Sequence, residues 1–237
     1  MSYEAVCFDL DDTLYPYPPC NEAGKRAALA ALRDRGHEMD REAFDELYAT
    51  ARREAKRETA GTAASHDRHI YFKRALRRYA GECDAGTALA VGDAYWDGYA
   101  EEMALCDGVE SVLDALAAAG TDVAVVTNLT TRVQLRKLAR LGIGDRIDRL
   151  VTSEEVGREK PSALPFTTAL AAFDCRPSEA LMVGDNVEAD VAGANAVGMD
   201  TALFVAGGDA PDEGELRGPR RPDHRLDAFA DLTEVAP

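Results

Sequence analysis

Seven side chains of the right chemical types fall at telling places in this chain. Phe8-Asp9-Leu10-Asp11-Asp12-Thr13-Leu14 sets Asp9 and Asp11 two residues apart, directly after an apolar run. Thr127-Asn128 ends a second apolar run, Lys160-Pro161 precedes a helical stretch, and Gly184-Asp185 ends a further run, with Asp190 close behind. Phosphoryl transfer needs its charge positioned and neutralised by a divalent metal, a fixed cation and hydrogen-bond donors. The set supplies each part. Asp9, Asp11 and Asp185 offer oxygen ligands, for which the hard ion suited to a phosphate site with few protein ligands is Mg²⁺. Without a metal, carboxylates so crowded would repel one another.

Taken singly, every motif has a plainer reading. A DxDxT segment serves as a surface turn, Thr-Asn as an N-cap, a Lys before Pro as a solvated helix entry, and GDxxxxD as a turn with an acid favoured by a helix dipole. Their order and their place at strand ends join them. Short apolar segments at 5–8, 122–126, 147–151, 180–183 and 201–205 read as buried parallel strands. Amphipathic stretches at 109–119, 131–141, 163–173 and 187–196 alternate with them, which predicts a doubly wound α/β sheet of Rossmann-like type. In such a sheet, ligands bind beyond the carboxyl ends of the strands, where these residues lie.

Between the first strand and the rest the sequence turns helical, at 22–34, 41–58, 67–79 and 87–103. A structureless loop of that length is excluded, so an inserted helical cap domain is predicted over 15–105, with a core domain made of 1–14 and 106–237. Pro16, Pro18 and Pro19 mark the entry to the insertion. The Gly-, Pro- and charge-rich stretch 207–222 reads as a mobile surface loop.

The four ordered motifs on a Rossmann-like core, with a helical insertion after the first, strongly resemble the haloacid dehalogenase-like superfamily along nearly the whole chain. The resemblance implies a phosphatase with Asp9 as the nucleophile that takes the phosphoryl group. It implies Asp11 as the acid that protonates the leaving alcohol and then as the base towards water. Thr127 and the backbone N–H of Asn128 would hold phosphate oxygens, and Lys160 would neutralise charge on Asp9 and the phosphate. Asp9 and Asp185 would bind Mg²⁺ directly, Asp11 through its backbone carbonyl, with Asp190 supporting the site. Substrates implied by the resemblance are small phosphorylated metabolites such as phosphoglycolate, nucleoside monophosphates or sugar phosphates.

Rival readings are a 2-haloacid dehalogenase, a phosphomutase and a non-enzymatic phospho-aspartyl switch. Asp11 argues against the dehalogenase, which needs neither a metal nor a proton donor to an alcohol. The helical insertion argues against the much shorter switch. His66 and His69, Cys20, and the aromatic stripes of Tyr71 with Phe72 and of Tyr95, Trp96 and Tyr99 are read as packed or solvated rather than functional.

The composition sets the remaining bounds. A net charge of −16, with 43 acidic against 27 basic residues, disfavours nucleic acid as a partner. Five widely spaced cysteines without a CxxC pair fit a reducing cytoplasm, and no apolar run reaches 18 residues. The basic residues include only five lysines (Lys25, Lys56, Lys73, Lys137 and Lys160), and an acidic, Lys-poor surface suits very salty cytoplasm. The thermal unfolding midpoint should therefore rise between about 0.1 and about 1 M KCl, as the screening length falls from about 10 to about 3 Å. A midpoint that falls or stays level over that range would overturn the reading of a salt-adapted surface.

Overall fold

The structure is a computed structural model and describes residues 3–205, 214 and 216–236. It divides into two compact units, one made of Met1–Pro16 with Ala104–Pro237 and the other of Tyr17–Met103.

The first unit is built on six parallel strands: β1 (Ala5–Phe8), β2 (Asp122–Thr127), β3 (Arg149–Thr152), β4 (Ala180–Gly184), β5 (Asp200–Phe204) and β6 (His224–Leu226), in the order β3-β2-β1-β4-β5-β6. The chain winds outwards from β1 through β2 to β3, then returns to the other side of β1 for β4. That reversal puts the topological switch point at β1, where open α/β sheets bind ligands. Parallel strands must be covered on both faces, and successive residues of β1 point to opposite ones. Ala5 and Cys7 pack with Ala124, Val126, Met182, Phe166 and Leu170 on one face. On the other, the Phe8 ring stacks on Phe229 at 5.7 Å, and Phe204 meets Phe229 edge-on at 5.4 Å.

Helices α1 (Tyr17–Asp34), α2 (Arg41–Glu58), α3 (Arg68–Ala80) and α4 (Ala85–Glu101) form the second unit. Three of them begin on an aspartate whose side chain accepts from the first turn: Asp40 from Ala43 N, Asp67 from His69 N and Ile70 N, Asp84 from Thr87 N. Each such cap stabilises its helix by about 1 kcal/mol. The aromatic residues pack this unit's core, with Phe44, Tyr48, Tyr71, Phe72, Tyr95, Trp96 and Tyr99 all buried. Within it the Arg68 guanidinium lies 5.2–5.9 Å from the ring centroids of Trp96, Tyr95, Tyr71 and Tyr17. Cys20 is buried, and His69 Nε2 sits 3.1 Å from Asp93 Oδ1.

Back in the first unit, α5 (Val109–Ala119), α6 (Thr131–Leu141), α7 (Ser153–Val156) and α8 (Ala163–Phe173) complete the α/β alternation. The two connections to the helical unit are tied at their roots, where Cys106 N donates to Leu14 O at 2.9 Å.

Beyond shifts of one to three residues at several element ends, three details differ from the sequence reading. Helix α1 begins at Tyr17 rather than at residue 22, because Pro18 and Pro19 fall in its first turn, where backbone N–H groups have no intrahelical partner to lose. The stretch read as one helix over 187–196 is a π-helical turn, Val187–Ala192, followed by a short α-turn at Gly193–Asn195. The edge strand β6 was not anticipated. Much of the proposed loop at 207–222 lies outside the described residues, although Gly218–Arg220 forms a 3₁₀ turn. Among the described residues no helix is long and apolar enough to cross a membrane.

Candidate active site

The end of β1 delivers Asp9 into the switch point, where Asp9 N extends the ladder by donating to Val183 O of β4 at 2.9 Å. One strand over, β4 ends at Gly184 and hands the chain to Asp185. The chain then turns at Asn186, whose side chain accepts from Glu188 N and Ala189 N, and this turn brings Asp190 back towards the strand ends. Carboxylate oxygens of Asp9, Asp185 and Asp190 all lie within 4.8 Å of one another.

Gly184 makes this approach possible. A Cβ at that position would lie 2.3 Å from Asp190 Oδ2, so any side chain would push Asp190 out of the cluster. With the glycine in place, Asp190 is buried and its Oδ2 accepts from Asn186 N at 3.0 Å.

Lys160 ties the cluster together. Its Nζ is 2.9 Å from Asp9 Oδ1 and 2.6 Å from Asp190 Oδ1, with its side chain 1% exposed. Asn128, beyond the end of β2, clamps the lysine backbone from both sides: Oδ1 accepts from Lys160 N at 2.8 Å and Nδ2 donates to Lys160 O at 3.2 Å. Thr127, the last residue of β2, is buried, and its Oγ1 accepts from Gln134 Nε2 at 2.6 Å. Its own hydroxyl hydrogen is therefore not the one shared with Gln134. Thr13 is buried and donates to Asp185 Oδ1 at 3.4 Å.

Asp11 stands apart from the carboxylate cluster. Both of its oxygens face Lys137 Nζ, at 2.6 and 2.9 Å, and Tyr15 Oη donates to its Oδ1. Sequence reasoning missed Lys137, Gln134 and Tyr15. A signal was there for two of them: Gln134 and Lys137 are polar residues one turn apart on the buried side of α6, beside the buried Leu138.

The electrostatics follow from the crowding. Burial, with the charges of Asp190 and Asp11 adding to it, pushes the Asp9 carboxyl up to about 7 against the pull of Lys160. Burial, then the charges of Asp9, Asp190 and Asp12, pushes Asp185 up to about 8. Burial alone would lower the Lys160 ammonium, but Asp190 and Asp9 outweigh it and raise it above its ordinary value. Among the described residues Asp185 forms no ion pair. An all-oxygen cluster with one member lacking a cation fits a hard divalent ion such as Mg²⁺.

Comparison with known proteins finds similar chains of one family. A family model described as haloacid dehalogenase-like hydrolase matches residues 3–198. A ribulose-1,5-bisphosphate 5-phosphatase of Halopiger xanaduensis is 52% identical over 234 residues, covering 98% of both chains. A glyceraldehyde 3-phosphate phosphatase of Methanopyrus kandleri is 33% identical over 98% of this chain and 96% of its own. Among solved structures, a 2-haloacid dehalogenase from Pseudomonas syringae pv. Tomato superposes with a TM-score of 0.75 at 25% identity, over 98% of this chain and 97% of that one.

The raised carboxyls dictate a pH signature. Their ordinary value is 3.8, so between that and about 7 to about 8 the folded, metal-free protein binds more protons than the unfolded chain. Unfolding free energy contributed by this pair therefore falls as pH rises through the window. A divalent ion held by this cluster would bind the ionised forms, so stabilisation by added Mg²⁺ should be larger at about pH 8 than at about pH 5. Calorimetry should show that difference in the native protein and a smaller one in Asp185→Asn. A pH dependence as large in Asp185→Asn as in the native protein would remove Asp185 from a metal site at this cluster.

Proposed function

The chain belongs to the haloacid dehalogenase-like hydrolases and is a phosphatase, and from that premise we propose that it is an Mg²⁺-dependent phosphomonoesterase of pentulose bisphosphates, working through a phosphoaspartate on Asp9. The observation that carries the chemistry is Lys160 Nζ at 2.9 Å from Asp9 Oδ1, beside the clustered Asp185 and Asp190, at the switch point of the sheet. The substrate class is supported by 52% identity along 98% of both chains with the Halopiger xanaduensis enzyme.

In this reading an Asp9 oxygen bonds to phosphorus as the ester P–O bond breaks, and the electron pair of that bond leaves with the sugar oxygen. Asp11 gives that oxygen its proton. Water then attacks the phosphoaspartate, Asp11 takes a proton from it, and the Asp9–phosphorus bond breaks to release inorganic phosphate. Lys160 offsets the negative charge of Asp9 and of the phosphoryl group, while the Thr127 hydroxyl and the Asn128 N–H hold its oxygens. Mg²⁺ held by Asp9, Asp185 and the Asp11 backbone carbonyl would supply the electrostatic neutralisation that loose phosphoryl transfer demands. The acidic, lysine-poor composition adds that the enzyme works in a salty cytoplasm.

Asp9→Asn keeps the shape but loses the nucleophile, so kcat should drop by more than about 10³-fold, the scale of losing a key electrostatic group. Retention within about tenfold would overturn the assignment. Turnover on ribulose 1,5-bisphosphate should exceed that on glyceraldehyde 3-phosphate by at least about tenfold in kcat/KM, a difference of roughly 1.4 kcal/mol. The reverse order would replace the pentulose bisphosphate by the triose phosphate.

A further inference from the structure

Two of the chain's five lysines are buried against carboxylates of the site. Lys160 has its role in the reaction above; Lys137 has none. It comes from the middle of α6, its side chain is 3% exposed, and its ammonium meets both oxygens of Asp11, which is itself 29% exposed. The same ammonium lies 5.7 Å from the centroid of the Tyr15 ring, whose hydroxyl donates to Asp11 Oδ1. Asp11 is thus held from two directions, by a lysine 126 residues away in sequence and by a tyrosine four residues on.

Burying an ammonium costs heavily unless it is paired and hydrogen-bonded. A chain this short of lysine has little reason to bury one where an apolar residue would pack as well. The neighbouring turn of α6 shows what that helix face does: Gln134, one turn earlier, donates to Thr127. A single face of α6 therefore reaches two different reacting groups, the phosphate-side hydroxyl through Gln134 and the proton-transferring carboxylate through Lys137. A carboxylate on a loop has two freely turning side-chain torsions, and proton transfer requires it within hydrogen-bond reach of the leaving oxygen. Two donors aimed at the carboxylate remove that freedom.

We infer that Lys137 is a positioning residue for the general acid and base: together with Tyr15 it fixes the orientation of the Asp11 carboxylate for proton transfer to the leaving oxygen and from water. This rests on the reading of Asp11 as that acid and base. In this role Lys137 acts through Asp11 rather than on the reacting phosphorus. Its loss should weaken only what Asp11 contributes, and that contribution matters in proportion to how badly the leaving group needs a proton.

The test compares the native enzyme with Lys137→Met, Lys137→Arg, Asp11→Asn and the double variant Asp11→Asn with Lys137→Met. Each is assayed on ribulose 1,5-bisphosphate, whose leaving group is an alkoxide, and on p-nitrophenyl phosphate, whose leaving group departs without a proton. Lys137→Met should lower kcat on the sugar phosphate by about 10- to 10²-fold, within the ~10²–10⁴-fold available to acid–base help, and change the aryl rate by less than about threefold. KM for the sugar phosphate should stay within about threefold, Lys137→Arg should recover part of the loss, and the double variant should be no more than about twofold slower than Asp11→Asn.

Equal losses on the two esters in Lys137→Met, beside unequal losses in Asp11→Asn, overturn the inference and leave the reading of Asp11 standing. Equal losses in Asp11→Asn overturn that reading itself. An unchanged or faster sugar-phosphate rate in Lys137→Met also overturns the inference, because the lysine would then be restraining Asp11 rather than aiming it. If circular dichroism finds Lys137→Met unfolded, Lys137→Gln faces the same criteria, and failure of both to fold assigns Lys137 to structure alone.

Discussion

Everything at the catalytic end of the sheet depends on the Lys160 ammonium lying between Asp9 and Asp190. Three carboxylates within 4.8 Å of one another would drive each other to protonate or apart. One buried cation shared by two of them offsets part of this repulsion, and it accounts for the local architecture. Gly184 carries no side chain because Asp190 must come within reach of that cation. Asn128 gives both its donor and its acceptor to the backbone of Lys160 because the cation must arrive at a fixed place. What Lys160 leaves unbalanced is Asp185, and the proposed metal would complete the charge at that point.

A second layer of support comes from helix α6. Its face towards the site carries a polar pair, Gln134 and Lys137, where an amphipathic helix would ordinarily bury aliphatic side chains. The helix therefore contributes less apolar packing than its position allows. In exchange it fixes Thr127 and Asp11, two groups from different strands whose relative position no single loop could hold. Support on rigid elements is what reaction geometry requires, since small displacements of a reacting group cost large factors in rate.

How far the sequence foretold these arrangements depends on the range of the forces involved. Elements governed by local pattern were legible to the residue: α2, α5, α6 and α8 span the stretches their periodicity predicts. Residues at the strand ends were legible too, since a parallel α/β sheet has one end where ligands go. Strand β6 was not, because three residues reading His-Arg-Leu carry no apolar run, and only pairing with β5 makes them a strand. Nor was the π-turn after β4, whose register is set by backbone bonds from both Asp190 and Val191 to Asn186 O. Lys137 and Tyr15 escaped for a different reason: a lysine on a helix reads as solvated until tertiary structure buries it against a particular carboxylate. The mark it did leave was compositional, a lysine kept on a buried face in a chain that otherwise avoids lysine.

That same carboxylate bears on which chemistry the fold performs. A nucleophilic aspartate at the end of the first strand could displace halide from carbon as readily as it could attack phosphorus, so the sheet and Asp9 alone do not choose between the two. The leaving groups differ in what they demand. A halide departs as a stable anion, whereas a sugar alkoxide must be protonated as it leaves. An enzyme for the first would gain nothing from a second carboxylate held by a buried ammonium and a tyrosine hydroxyl, and would bear the desolvation of that ammonium without return. An enzyme for the second needs such a carboxylate fixed in place. On the proposed reading of Asp11 as the acid and base, the Asp11, Lys137 and Tyr15 arrangement adds an argument for phosphate esters that is independent of the Asp9, Asp185 and Asp190 cluster.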